Sequence, residues 1–148
     1  MPEMTTAQEI EITRVYDAPR ELVWRAWTEP EELVRWWGPS GWSTPLDTVT
    51  MEVRPGGTFR LTSISDEGAE MPVAGVYREV TEPERLVLEE PPDHAWHEGS
   101  VSTVTFTDLG EGRTEVALRA IVLTTDEMRL NAERGMNGTL DRLGEHLG

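Results

Sequence analysis

The spacing of apolar residues changes near residue 125 of this chain, and that change does most to restrict the fold. Between residues 45 and 123, apolar side chains alternate with polar ones, as in Val49, Met51 and Val53, which predicts strands. After residue 125 they recur at helical spacing, which predicts one long amphipathic helix over about 126–147 with Thr125 or Asp126 as its N-terminal cap. Strands followed by a single long helix are typical of an α+β fold.

The first third of the chain is predicted to contribute one strand and two short helices. Residues 1–8 are expected to form a disordered lead, and the alternating stretch EIEITRVYDA is expected to form the first strand. RELVWRAW follows Pro19 as a first helix. Thr28-Glu29-Pro30-Glu31 has the form of a capping box and predicts a second helix over about 30–37.

Turn-forming residues divide the alternating region into six further strands. These are predicted over 45–54, 58–65, 71–81, 85–90, 100–109 and 113–123, with Gly75 at a bulge. Short connections predict an antiparallel, curved sheet of six to seven strands wrapped around the long helix. One helix does not fill the concave face of such a sheet, so a cavity is expected. Residues 9–148 are predicted to form a single domain.

Composition excludes several functions. The net charge is −15, which disfavours nucleic acid and anionic membranes as partners. There is no cysteine, and all 13 basic residues are arginine, which excludes thiolate nucleophiles and lysine Schiff bases. No signal peptide or membrane-spanning stretch is recognised, so no membrane insertion and a cytoplasmic location are expected.

Four sequence blocks occur in an order and spacing that resemble a known family. They are ITRVYDAPRELVWRAWTEPEELVRWWGP, RPGGTFRL, GVYREVTEPERLVL and ERGMNGTLDRLGEHL, within residues 10–147. They resemble the activator of heat-shock-protein-90 ATPase homologue-like family, of the START-like or SRPBCC superfamily. The resemblance implies the helix-grip fold. It does not imply one function, because this superfamily includes lipid carriers, hormone receptors, polyketide cyclases and a chaperone-activating domain.

Two departures from the family pattern fall on expected cavity residues. The family commonly has Gly-Trp where this chain has Gly135-Met136, and it usually has phenylalanine where this chain has Trp42. Methionine is more flexible and narrower than tryptophan, so the resemblance implies a reshaped pocket.

The stretch EELVRWWGPSGW holds three of the six tryptophans. They are expected to close one end of an incompletely filled sheet, with at least one in the core and others lining the cavity. The predicted cavity-lining residues are Trp36, Trp37, Trp42, Met51, Phe59, Leu61, Tyr77, Trp96, Met128, Ala132, Met136 and Leu140.

The loop PPDHAWHEG could hold a metal ion through His94 and His97 with Asp93 or Glu98. No third strong ligand is identifiable nearby, so exposed loop histidines are favoured and neither a metal nor a cofactor is expected.

Strand arginines could bind a ligand carboxylate if they pointed inward, but a solvated outer face is expected for most of them. These are Arg54, Arg60, Arg78 and Arg119.

No nucleophile motif of the GxSxG or HExxH type is present. The favoured hypothesis is therefore binding of a small hydrophobic or amphipathic molecule between the sheet and the last helix. The alternatives are an enzyme of the cyclase, dehydratase or hydrolase kind, with Tyr77, His97 and Glu52 as acid–base residues, and a regulator of a chaperone ATPase. A homodimer through strand edges or the tryptophan loop is compatible with the sequence.

Overall fold

The structure is a computed structural model of the chain and describes residues 5–92 and 97–148. Within those residues it contains eight strands and three α-helices. In chain order they are β1 (Thr6–Tyr16), α1 (Arg20–Thr28), α2 (Pro30–Leu33), β2 (Trp42–Ser43), β3 (Thr50–Met51), β4 (Thr58–Ser65), β5 (Glu70–Thr81), β6 (Arg85–Glu90), β7 (Ser100–Gly110), β8 (Arg113–Thr124) and α3 (Asp126–Leu147).

The strands form one antiparallel sheet that curves around the C-terminal helix. Its order is β1-β8-β7-β6-β5-β4-β2, and β3 also pairs with β4. The five strands β4 to β8 form the predicted meander, and β1 closes the far edge against β8. The predicted fold class is confirmed. The strand number exceeds the predicted six to seven because the two-residue strand β2 was not predicted.

Two predicted elements differ at their ends. β1 begins at Thr6, so the predicted disordered lead is wrong for residues 6–8, which pair with β8. α2 is a single turn and ends at Leu33, well before residue 37.

The strand predicted over 45–54 is mostly absent. Leu46–Thr48 form a 3₁₀ turn after Pro45, and only Thr50–Met51 pair as a strand. The Thr48 hydroxyl donates to the Pro45 carbonyl at 2.7 Å. This side-chain bond favours a turn, and alternation of apolar residues alone does not reveal it.

The two predicted helix caps have opposite outcomes. The Thr125 side chain accepts a hydrogen bond from the Met128 amide at 3.2 Å, which confirms the cap of α3. Thr28 does not cap α2. Its hydroxyl donates instead to the Trp24 carbonyl at 2.9 Å, one turn earlier in α1, so no capping box forms.

An aromatic core fills the concave face beneath α1. The rings of Trp24 and Phe106 lie 5.4 Å apart, and those of Trp27 and Trp36 lie 4.9 Å apart, both edge to face. Phe106 pairs with Val116, near the hairpin end of β7 and β8. This end of the sheet is therefore packed with side chains.

The second half of α3 is tied to the rest of the protein. Thr139, Leu140 and Leu143 are its buried residues. The Tyr16 hydroxyl donates to the Leu140 carbonyl at 2.9 Å, and Arg14 binds the Asp141 carboxylate at 2.6 Å. These contacts fix the end of the helix against β1.

A second set of contacts joins the same half of α3 to the tryptophan loop. The Arg142 guanidinium donates to the carbonyl oxygens of Gly38 at 2.7 Å and Trp42 at 3.0 Å. His146 lies 3.0 Å from a carboxylate oxygen of Glu32. The first half of the helix, by contrast, contains no residue that is fully buried. It lies over the sheet without filling the space beneath it.

Candidate functional site

A cavity of about 530 Å³ lies between the first half of α3 and the concave face of the sheet. Strands β4 to β8 supply its floor, the loop over 37–42 supplies one wall, and residues 128–139 supply its roof. It occupies the part of the concave face that the aromatic core leaves unfilled. The predicted space between sheet and helix is therefore present in the structure.

Most of the predicted cavity residues lie in the lining. These are Trp37, Trp42, Met51, Phe59, Leu61, Tyr77, Met128, Ala132 and Met136. Trp37 and Trp42 are only partly buried, so their ring faces remain available at the wall. Trp96 lies outside the described residues.

Trp36 and Leu140 are corrections to the predicted lining. Trp36 is fully buried, and its indole N–H donates to the Ala26 carbonyl at 3.0 Å. It therefore belongs to the core, and its neighbour Trp37 lines the cavity. Leu140 is also buried, beside the contact from Tyr16, and does not reach the cavity.

The cavity opens to solvent beside the start of β5. Glu70, Met71 and Pro72 line it and are exposed, and so is Asn131 on α3. The opening thus lies between the first strand residues of β5 and the untied half of the helix.

Tyr77 is the most deeply buried polar side chain in the lining. The residue is 2% exposed and its hydroxyl makes no hydrogen bond within the described ranges, although the oxygen atom is not completely enclosed by protein. Burial raises the pKa of this hydroxyl above its usual value, so it is a neutral donor at physiological pH. A hydroxyl that reaches the cavity without a protein partner can donate a hydrogen bond to a polar group of a ligand.

Gly75 shapes the floor next to Tyr77. A Cβ at this position would lie 2.6 Å from the Phe59 ring and 2.5 Å from the Glu89 carbonyl oxygen. The missing side chain lets the Phe59 ring pack across β5 toward Tyr77, with ring centroids 5.5 Å apart. The predicted bulge at Gly75 is wrong, because the register shifts between Tyr77 and Glu79.

A polar group at the opposite end of the sheet from the aromatic core was not predicted. It comprises Glu90, Ser100 and Ser102, all in the cavity lining. Glu90 pairs with Ser100 across the strands, and the Ser100 hydroxyl donates to the Glu90 carboxylate at 3.2 Å. The alternation of side chains along a strand predicts that Glu90 faces inward, since it follows the inward-facing Leu86 and Leu88 at a spacing of two.

Trp27 is a further lining residue that sequence reasoning placed only on a helix face. It lies on α1 where the aromatic core meets the cavity, 6.3 Å from the Trp37 ring. Its indole N–H is buried and has no hydrogen-bond partner among the described residues. Adjacent tryptophans from two elements thus form one wall.

The three proposed acid–base residues do not converge. Only Tyr77 lines the cavity. Glu52 accepts hydrogen bonds from Thr58 at 2.6 Å and from Arg54 at 2.9 Å, and these partners lower its pKa. His97 is buried and accepts from the Gly99 amide at 2.9 Å. The bonds of Glu52 stabilise the turn before β4, and the bond of His97 stabilises the turn before β7.

The predicted outward arginines are confirmed. Arg54, Arg60, Arg78 and Arg119 are exposed and do not line the cavity. Asp93 and His94 of the considered metal loop lie outside the described residues. Over 5–92 and 97–148 no group of three histidines or acids is placed to hold a metal ion. In the same ranges, none of the helices has the length and apolarity needed to cross a membrane.

A sheet curved around a C-terminal helix, with a cavity between them, defines an α+β protein of the helix-grip class. The family model described as Activator of Hsp90 ATPase homolog 1-like protein, AHSA1, matches residues 17–148, and the chain belongs to this family. The resemblance recognised in the sequence is thereby confirmed. A comparison with curated proteins finds no match.

Solved structures with the same fold include several bacterial proteins. One from Nitrosomonas europaea is 27% identical, with a TM-score of 0.79 over 94% of this chain and 93% of that one. One from Chromobacterium violaceum is 24% identical, with a TM-score of 0.83 over 94% and 96%. An AHSA1 protein from Silicibacter pomeroyi is 22% identical, with a TM-score of 0.82 over 95% and 97%. The last two are evidence for the fold alone.

Proposed function

We propose that this protein binds a small apolar or amphipathic molecule in the cavity between the sheet and α3. The observation that carries the proposal is the cavity itself, whose lining includes the Tyr77 side chain with no hydrogen bond from its hydroxyl within the described ranges. A volume of about 530 Å³ falls within the roughly 300–1,000 Å³ of known ligand pockets. An empty apolar space of this size would forfeit packing energy that a ligand restores.

The lining suits such a ligand in composition as well as size. Trp37 and Trp42 offer flat apolar faces, and Met128 and Met136 offer side chains that adapt to different shapes. A few polar groups, Tyr77 among them, would fix the orientation of the ligand.

The direct test is mass spectrometry of gently purified protein, first under native and then under denaturing conditions. We expect a discrete additional mass that leaves on denaturation and identifies the chemical class of the ligand. A bare native mass, together with no uptake of the neutral dye Nile red, would contradict the proposal.

Catalysis in the same cavity is the first alternative. Tyr77 is the one acid–base candidate that lines it, since Glu52 and His97 bind backbone or hydroxyl groups elsewhere. Turnover of a bound compound that is lost in a Tyr77→Phe variant would favour an enzyme over a carrier.

Regulation of a chaperone ATPase is the second alternative, and the description of the family suggests it. Its test is the ATPase rate of a purified Hsp90-type chaperone with and without this protein. An unchanged rate and no retention in a pull-down would exclude this role.

A further inference from the structure

The tryptophan loop, residues 37–42, is held by a side chain of α3 that is not part of the cavity lining. We propose that Arg142 is a positioning residue of the ligand site: it fixes the main chain of this loop and thereby keeps Trp37 and Trp42 in place as a cavity wall. This inference rests on the ligand-binding function proposed above. It identifies a residue outside the lining on which binding depends.

Four main-chain carbonyl oxygens of the loop surround one nitrogen of the Arg142 guanidinium. This nitrogen, Nη1, donates to the Gly38 oxygen at 2.7 Å and to the Trp42 oxygen at 3.0 Å. The oxygens of Trp37 and Pro39 each lie 3.5 Å away. Because Nη1 carries two protons, the two short contacts use both of its donors, and hydrogen bonds from a charged donor are the stronger kind. The loop is thus folded around a positive charge.

The turn inside the loop explains why its carbonyl groups need a cation. The Trp42 amide donates to the Pro39 carbonyl at 3.0 Å, and Gly38 has a φ of 100°, in the left-handed region. This tight path brings the negative ends of several carbonyl dipoles close to one point. Such dipoles repel one another, so the guanidinium among them stabilises this conformation of the loop.

The side chains carried by this main chain line the cavity. Trp37 and Trp42 supply two of the contacted carbonyl groups, and both side chains belong to the lining. The Trp37 carbonyl also accepts a hydrogen bond from the Thr44 hydroxyl at 3.2 Å, and that hydroxyl lies 2.9 Å from the Ser63 hydroxyl on the cavity floor. The wall is therefore attached to the sheet through Thr44 and to the helix through Arg142.

Loss of the guanidinium should affect binding more than folding. Arg142 is half-buried and borders a surface cleft together with Arg35, Glu145 and His146. Water from this cleft can reach the carbonyl groups once the guanidinium is removed, which limits the cost in stability. The loop would then sample several conformations. A ligand would have to order the wall as it binds, and the free energy of that ordering weakens binding.

The first test is the dissociation constant of Nile red for Arg142→Ala. We expect binding to weaken at least about tenfold relative to the parent protein. Arg134→Ala is the matched control, because Arg134 is exposed on the same helix and does not line the cavity. It should bind the dye within about twofold of the parent protein. Urea unfolding shows whether each variant is folded.

Arg142→Met is a second variant, for the case that Arg142→Ala does not fold. Methionine keeps an unbranched apolar stem at this position and removes the charge and the donors. It should weaken Nile red binding at least about threefold, because the carbonyl groups again lack their cation.

Chemical rescue separates positioning of the loop from general damage. Free guanidinium ions can occupy the space that Arg142→Ala leaves among the carbonyl groups, and they should tighten Nile red binding by this variant at least about threefold. Urea is the matched co-solute, since it is planar and donates hydrogen bonds but carries no charge. It should give no rescue. Both are used at constant ionic strength and far below the concentrations that unfold proteins.

The outcomes separate the two proposals. Parent-like binding by folded Arg142→Ala or Arg142→Met would overturn the positioning role and leave ligand binding standing. Weakened binding that guanidinium does not restore, or that urea restores equally well, would overturn the role of a cation among the loop carbonyls. Failure of the parent protein itself to bind Nile red would count against the proposed function as well.

Discussion

The Tyr16 hydroxyl of β1 donates a 2.9 Å hydrogen bond to the Leu140 carbonyl of α3. Its ring packs where Gly144 has no side chain, and a Cβ there would lie 3.4 Å from the ring. The first strand thus fixes the second half of the last helix. Because the first half carries no comparable ties to the described residues, the anchor at Tyr16 helps to decide where the cavity can form.

Tyr16 should make the protein sensitive to strong alkali. Burial raises the pKa of Tyr16 from 10 to about 12. The unfolded chain would lose this proton near pH 10 and the folded protein would keep it. The contribution of Tyr16 to stability should therefore be constant below pH 10 and fall by about 2–3 kcal/mol as the pH rises from 10 to 12.

Urea unfolding from pH 8 to pH 11 measures this effect. Tyr16→Phe should lose about 1 kcal/mol at pH 8 with the hydrogen bond, and it should show a shallower alkaline decline than the parent protein. Equal slopes for the two proteins would contradict the role of Tyr16. Tyr77→Phe is the comparison, because Tyr77 is also buried with a raised pKa but has no hydroxyl partner in the described residues.

Filling the cavity should weaken ligand uptake without unfolding the protein. Met136→Trp places a larger side chain under the roof, and we expect Nile red binding to weaken at least about tenfold. Leu130→Trp is the matched control, since Leu130 is exposed on the same helix and does not line the cavity. Equal binding by both variants would show that the dye binds elsewhere.

Two glycine substitutions should change stability in opposite directions. Gly75→Ala would force the new methyl group against the Phe59 ring and the Glu89 carbonyl, costing about 1–3 kcal/mol. Gly135→Ala adds a methyl group with no atom within 4 Å and should gain up to about 1 kcal/mol through helix propensity. Urea midpoints of the two variants test the contrast, and destabilisation of both would contradict the open space at Gly135.

Substitutions of the adjacent residues Trp36 and Trp37 should affect stability and ligand binding differently. Trp36→Phe loses core packing and the hydrogen bond to Ala26, and we expect a cost of about 2 kcal/mol or more. Trp37→Phe should cost less stability but weaken Nile red binding, because Trp37 is a partly buried wall residue. A larger stability loss for Trp37→Phe would reverse the assignment.

Elements with a local signal were predicted closely from the sequence. The bounds of α3 follow from its helical spacing and from Thr125, whose hydroxyl oxygen accepts a hydrogen bond from the Met128 amide three residues later. The 3₁₀ turn over Leu46–Thr48 was missed because its apolar spacing also fits a strand. Pro45 and the hydrogen bond from Thr48 favour the turn over a strand, and the periodicity of apolar residues contains no information about either.

The candidate site was predictable only in part, for a similar reason. Large apolar residues such as Met136 and Phe59 indicate an inward face through their own hydrophobicity. Glu90 is not hydrophobic, and its inward direction can be predicted only by extending the alternation of β6 from Leu88 by two residues. Trp36 and Trp37 follow each other in one turn and must point apart, and only the packing of α1 determines which enters the core.

The helix that forms the roof of the cavity is held in place at both of its ends. α3 continues from β8 through Thr125 at one end and is held by Arg14, Tyr16 and Arg142 at the other. The unsupported span from Met128 to Met136 is about 12 Å long at 1.5 Å per residue. The helix span therefore limits the length of a molecule that lies along it, whereas the curvature of the sheet limits the width of that molecule.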